Sequence, residues 1–197
     1  MRRGGSSICW ASILFVTAIA TASSKEATKP PGLAGKLGDR IEISQHEQLV
    51  RTRSATGAGL APFVSDGCSG GLSVGWSFVS TTFPLIARYH GDRPPWEHCC
   101  YAHDKIYHSG GPAGADAKAS FEARREADEQ LHRCVSEVGE ERTEDLANAY
   151  GLSHEQIAML YRTIADIMYK AVRLGGAPCT LLPWRWGFGW PQCKTIQ

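Results

Sequence analysis

The stretch His98-Cys99-Cys100-Tyr101-Ala102-His103-Asp104 decides the reading of this chain. Pro94-Pro95 ahead of it favours a helix start, and Gly110, Gly111, Pro112 and Gly114 behind it end one. On a helix Cys99 and His103 share a face, as do Cys100 and Asp104, because each pair is four residues apart. Adjacent cysteines point about 100° apart, so Cys99 and Cys100 suit two different bridges.

Downstream, Phe121, Arg124, Asp128, Leu131 and Val135 recur at three- and four-residue steps and predict a second helix. A third is predicted from Ser153, with Gln156 in capping-box spacing. Its apolar face is Ile157, Leu160, Tyr161, Ile164, Met168, Ala171 and Val172, and Gly175-Gly176 closes it. The aromatic tail PCTLLPWRWGFGWPQC is bracketed by Cys179 and Cys193. Strand signals are weak throughout. The fold class expected is mainly α, stapled by disulfides.

Upstream, residues 65–92 carry the Gly-rich turn SDGCSGGLSVGW and then an apolar segment. Residues 23–64 are rich in Ser, Lys, Pro and Gly, with only a short periodic patch at Ile41–Val50, and read as a linker or loosely packed arm. Residues 1–22 read as a signal peptide: Arg2-Arg3, an apolar run from Ile8 to Ala20, then Ala20-Thr21-Ala22 as a small-residue cleavage site. The apolar run falls short of the ~20 residues a membrane-spanning helix needs. Removing this segment takes away Arg2, Arg3 and Cys9 and leaves six cysteines: Cys68, Cys99, Cys100, Cys134, Cys179 and Cys193. An even set in an exported chain, secreted or periplasmic, argues for disulfides. Spacing alone does not choose among the pairings. The whole chain has 197 residues and a formal net charge of +1, which gives no electrostatic footprint for nucleic acid.

The chemistry lies where the first two helices meet. If Cys99 bridges to Cys134 across an antiparallel pair, His103 lies four residues above the bridge and Asp128 six. At ~1.5 Å rise per residue these offsets are about 6 and 9 Å, so the side chains reach similar heights. A His beside a buried carboxylate is an acid–base pair, with the Asp selecting the tautomer and stabilising the imidazolium. Asp104, turned away from His103, is suited to a hard cation together with carbonyl oxygens of a Gly-rich loop.

These residues resemble the secreted phospholipase A2 superfamily. Its C-C-x-x-H-D signature stands here as Cys99-Cys100-Tyr101-Ala102-His103-Asp104, followed by Tyr107. The family's second helix carries a catalytic Asp six residues before a cysteine, matched by Asp128 and Cys134. Its calcium loop is Gly-rich with a cysteine, matched by Asp66-Gly67-Cys68-Ser69-Gly70-Gly71. The resemblance spans residues 65–138 and implies a phospholipase A2-like domain over 65–197, with two antiparallel core helices, a C-terminal helix and the aromatic tail as an extension. It implies His103 as general base, Asp128 supporting it and Tyr107 bonding that carboxylate. Asp104 and the carbonyls of Gly67, Ser69 and Gly71 would hold Ca²⁺. The implied activity is hydrolysis of the sn-2 ester of a glycerophospholipid at a membrane or micelle surface. The implied bridges are Cys99–Cys134 and Cys68–Cys100, leaving Cys179–Cys193 to close the tail. Where many members have a further bridge, this chain has Ile106 and Ala127.

Two other classes compete. A non-catalytic lipid- or protein-binding module would keep the scaffold, and a zinc protein would use His98, Cys99, Cys100, His103 and His108. Trp184, Trp186, Phe188 and Trp190 are read as packing over the helices, against the alternative of an interfacial surface. His46, His90, His132 and His154 are read as surface residues, and Arg124-Arg125-Glu126 as a solvated helix face.

Overall fold

The computed structural model describes residues 33–193 apart from Thr56, Asp66 and 69–71. The expected signal peptide and the first part of the expected arm lie outside the described residues. Seven α-helices and no strand are present among the described residues: α1 Leu33–Ser54, α2 Leu72–Thr82, α3 Pro84–His90, α4 Glu97–Ser109, α5 Ala117–Glu141, α6 Thr143–Tyr150 and α7 His154–Gly175. None of them is long and apolar enough to cross a membrane. The mainly α class is as expected.

Helix α5 is the central element, with α7, α4 and α1 packed against it. The pairing of Cys99 with Cys134, His103 with Asp128, and Tyr107 with Arg124 makes α4 and α5 antiparallel. Local chemistry sets the ends. Asp116 caps α5 by accepting from the Ala119 N–H at 2.7 Å. Ser153 and Gln156 form the expected capping box of α7. Gly110 ends α4 in the left-handed region at φ 67°, which a side chain would resist.

The core forms two clusters. One joins Trp96, Cys99, Leu131, Val135, Ile157, Tyr161 and Met168. The other joins Leu49, Tyr107, Ala127 and Trp186, with Ile106 packed against it. Ile106 and Ala127 thus belong to the hydrocarbon packing of this cluster. Gly139 on α5 lies against Tyr161, where an added Cβ would collide with the ring and its Cβ. That glycine sets how closely α5 and α7 approach.

Four expectations need correction. Residues 33–54 are not a linker or arm but a 22-residue helix that buries His46 and Leu49 against the rest of the chain. Its Gly and Ser residues hide a face that burial makes stable. His46 is fully buried rather than on the surface, and so is Arg124. On α7, Leu160 and Ala171 turn outward while the other face positions pack inward.

The three disulfides are Cys68–Cys100, Cys99–Cys134 and Cys179–Cys193, with Cα separations of 5.1, 5.8 and 5.2 Å. They match the pairings the resemblance implied. The tail after α7 folds back over α4. Trp186 is buried, its backbone N–H donates to Gly176 O, and Gly187 and Gly189 donate to the carbonyls of Tyr107 and His108. The His108 carbonyl at the end of α4 is thereby paired, and the Tyr107 carbonyl, which also accepts from the Gly110 N–H, gains a second donor.

Candidate functional site

His103 and Asp104 lie midway along α4, one turn above the two cysteines that anchor it. Both side chains are 7% exposed. His103 Nε2 is 2.9 Å from Asp128 Oδ1, and the Tyr107 hydroxyl donates to the same oxygen at 2.6 Å. The fold thus brings His103 and Asp128 together as the helix offsets suggested, and adds Tyr107 as the resemblance implied. With Nε2–H donated to the carboxylate, Nδ1 is the ring's acceptor. Burial pushes the Tyr107 hydroxyl well above its ordinary range, and the Asp128 charge adds to this against the opposing pull of Arg124. Tyr107 therefore stays a neutral donor.

The second carboxylate oxygen has partners that the sequence reading missed. Arg173 of α7 donates from Nη1 to Asp128 Oδ2 at 2.9 Å and from Nη2 to Glu42 Oε2 at 2.8 Å. Arg124, fully buried, donates from Nε to Tyr107 at 3.1 Å, from Nη1 to Glu42, and from Nη2 to the carbonyls of Val172 and Arg173. Arg124, buried, and Arg173, half-buried, thus face two carboxylates, Asp128 and Glu42, which lets charge exist away from water. Burial pushes Glu42 up, but the neighbouring His46 ring and the charges of Arg124 and Arg173 prevail and hold it at about 2. His46 is held below its ordinary range by burial. Arg124 had one legible signal: a charged residue on the apolar stripe of α5, one turn before Asp128. Glu42 and Arg173 had none.

Asp104 accepts from Ser65 Oγ at 2.7 Å, and the Gly67 N–H donates to the same hydroxyl at 3.1 Å. Cys68–Cys100 ties this loop to α4. Ser69 and Gly71, two expected carbonyl ligands, lie outside the described residues. Asp104 on α4 and the Gly67 carbonyl on the loop that Cys68–Cys100 ties to it are oxygen donors of the hard kind that a calcium ion takes. Among the described residues, the cluster of three side-chain ligands is His98, Cys99 and Cys134. Its two sulfurs are spent in a disulfide, which removes the thiolates a zinc site needs.

His103 and Asp104 open onto a cavity of about 250 Å³, otherwise walled by apolar side chains including Leu131, Ile167, Met168, Val172 and Trp184. An acid–base group at one end of an apolar cleft is the expected form of a site for a substrate with an apolar body and one reactive polar bond. The tail contributes Trp184 to this wall, while Trp186 supports Tyr107 edge-on at 5.0 Å between ring centroids. Trp186 Nε1 donates to Ser120 Oγ and Trp190 Nε1 to Ser109 O. These tryptophans are mainly structural, as expected.

No family model matches the chain, and neither a curated protein nor a solved structure does.

Proposed function

We propose that this protein is an exported, calcium-dependent hydrolase of glycerophospholipid sn-2 esters, built on a divergent phospholipase A2 fold. The observation that carries the proposal is the His103 ring, fixed through Nε2 by Asp128 with Nδ1 as the free base, at the end of an apolar cavity. His103 Nδ1 takes a proton from the water that adds to the ester carbonyl, then returns it to the departing glycerol oxygen. The products are a fatty acid and a lysophospholipid. Asp128 keeps the proton on Nε2 and stabilises the imidazolium between the two transfers. Tyr107 and Arg173 are positioning residues that hold the carboxylate in place, one on each oxygen. Leu131, Ile167 and Met168 would receive the acyl chain and exclude water. Asp104 and the Gly67 carbonyl, with Ser69 and Gly71, would hold the calcium ion, which when bound supplies Lewis-acid polarisation of the carbonyl.

The test is hydrolysis of phosphatidylcholine mixed micelles during a calcium titration. Wild type is expected to release fatty acid only with calcium, and His103→Gln to lose about 10²–10⁴-fold in rate. Equal rates for wild type and His103→Gln, or indifference to EDTA, overturn the mechanism. Binding of micelles without any hydrolysis would identify a binding module instead.

A further inference from the structure

A second cavity, of about 360 Å³, lies at the other end of the helical core. Its walls come from α2, α3, α6 and α7 together with Trp96, and Leu146, Ile157, Leu160 and Ile164 make it strongly apolar. The volume falls in the range of ~300–1,000 Å³ typical of small-molecule sites. It shares no lining residue with the cavity beside His103.

The polar groups that line it include a donor without an acceptor. Trp96 is 5% exposed, lines the cavity, and its indole Nε1 finds no acceptor among the described residues. Leaving such a donor buried costs about 1–3 kcal/mol, so it marks a place where something is missing. His90 and Tyr161 also line the cavity, and both contact Arg142. Arg142 Nη1 lies 2.9 Å from His90 Nδ1 and 3.4 Å from the Tyr161 hydroxyl, while Nη2 donates to Tyr89 O. With Nδ1 accepting from the guanidinium, the His90 proton sits on Nε2 and makes a further donor. Burial and the Arg142 charge hold His90 down at about 4, so it adds no second positive charge near neutrality.

No carboxylate lies within ion-pairing distance of Arg142 among the described residues. Its neighbours are a carbonyl, a neutral imidazole and a phenol. A half-buried cation without a counter-ion favours an anion beside it. An apolar body fits the walls, and a terminal acceptor carrying negative charge fits the edge.

We propose that this cavity is a second ligand site, distinct from the His103 site, that binds a single-chain aliphatic carboxylate. The hydrocarbon chain lies against Leu146, Ile157, Leu160 and Ile164. The carboxylate accepts from Trp96 Nε1 or His90 Nε2 within the field of Arg142. This inference stands on the cavity's own chemistry and does not depend on the hydrolase reading.

Isothermal titration of the protein with dodecanoate below its micellar concentration, in the absence of phospholipid, tests it. Dodecanoate is expected to bind at least about tenfold more tightly than dodecanol, a difference of about 1.4 kcal/mol. Leu160→Trp, which fills the cavity from a half-exposed position, should remove binding. Trp96→Phe, which keeps the ring and deletes the donor, should weaken it severalfold and serves should the filled variant fail to fold. Ile167→Trp, in the other cavity, should leave dodecanoate binding unchanged while impairing phospholipid hydrolysis. Equal affinity for dodecanol and dodecanoate would refute recognition of the carboxylate. Binding that survives Leu160→Trp but is lost in Ile167→Trp would place the fatty acid in the His103 cavity and sink the proposal. No binding of dodecanoate to wild type would do the same.

Discussion

The arginines around Asp128 and the arginine beside His90 are both drawn out of water, and the two centres are built on opposite principles. Around Asp128, each cation has a carboxylate partner: Arg124 and Arg173 share Glu42 and Asp128 between them. Around His90, Arg142 is surrounded only by neutral acceptors. The first centre is electrically closed and holds one oxygen of Asp128 toward His103. The second carries surplus positive charge beside an apolar cavity. A closed network serves positioning, because removing any member leaves a buried charge exposed to low dielectric. An open one serves recognition, because its missing partner can be a ligand.

The comparison breaks first on charge deletion. Arg124→Met should cost about 3–5 kcal/mol in urea unfolding, since it strands Glu42 and part of Asp128. Arg142→Met strands no carboxylate and should cost only about 1 kcal/mol for its hydrogen bonds. If the two variants lose equal stability, the contrast between the centres is wrong.

The disulfides sharpen it next. Replacing Cys99 and Cys134 by Ala removes the bridge that sets the α4–α5 register, across a sequence separation of 35. A loss of about 2–5 kcal/mol is expected by chemical denaturation. Removing Cys179–Cys193, with a separation of 14, should cost less because it closes a shorter loop. A smaller effect comes from Gly139→Leu, which forces α5 from Tyr161 and should cost about 1–3 kcal/mol in the same assay.

Acid should open the two centres in order. His90 is about 4 in the fold against 6.5 in the free side chain, so the unfolded chain takes up the proton first. Stability is therefore lost as pH falls from 6.5 towards 4, and His46, also held low by burial, adds to that loss. Glu42 is held at about 2 against 4.5, so its contribution is fully present above 4.5 and is lost as pH falls from there towards 2. Urea midpoints measured against pH should show both windows. His90→Phe should flatten the upper one and Glu42→Gln the lower. One common slope unaffected by either variant would contradict this. The smallest effect is expected at α2 and α3, where Phe78, Phe83 and Leu85 are exposed. Phe78→Ser should stay within about 0.5 kcal/mol of wild type in the same assay.

Much of the His103 centre was legible because helix periodicity converts sequence offsets into heights. Four residues from Cys99 and six from Cys134 are enough to bring His103 and Asp128 together once the bridge is made. Capping chemistry likewise announced α7 through Ser153 and Gln156. Helix α1 was legible only as the short periodic patch Ile41–Val50, because the Ser, Lys, Pro and Gly around it suggest an arm and its stability comes from what it packs against. Arg124 was misread for a related reason: an arginine among charged neighbours looks solvated until two carboxylates and two carbonyls are found facing it.

The local pattern thus settled the mainly α class, the positions of α4, α5 and α7, and the candidate acid–base residues, since all follow from spacing within one helix or between two. Only the tertiary structure decided which charges are paired. Glu42 is 131 positions from Arg173, and Arg142 is 52 from His90. Such distances in sequence carry no periodicity, and whether a cation meets a carboxylate or a phenol depends on how four helices close around it.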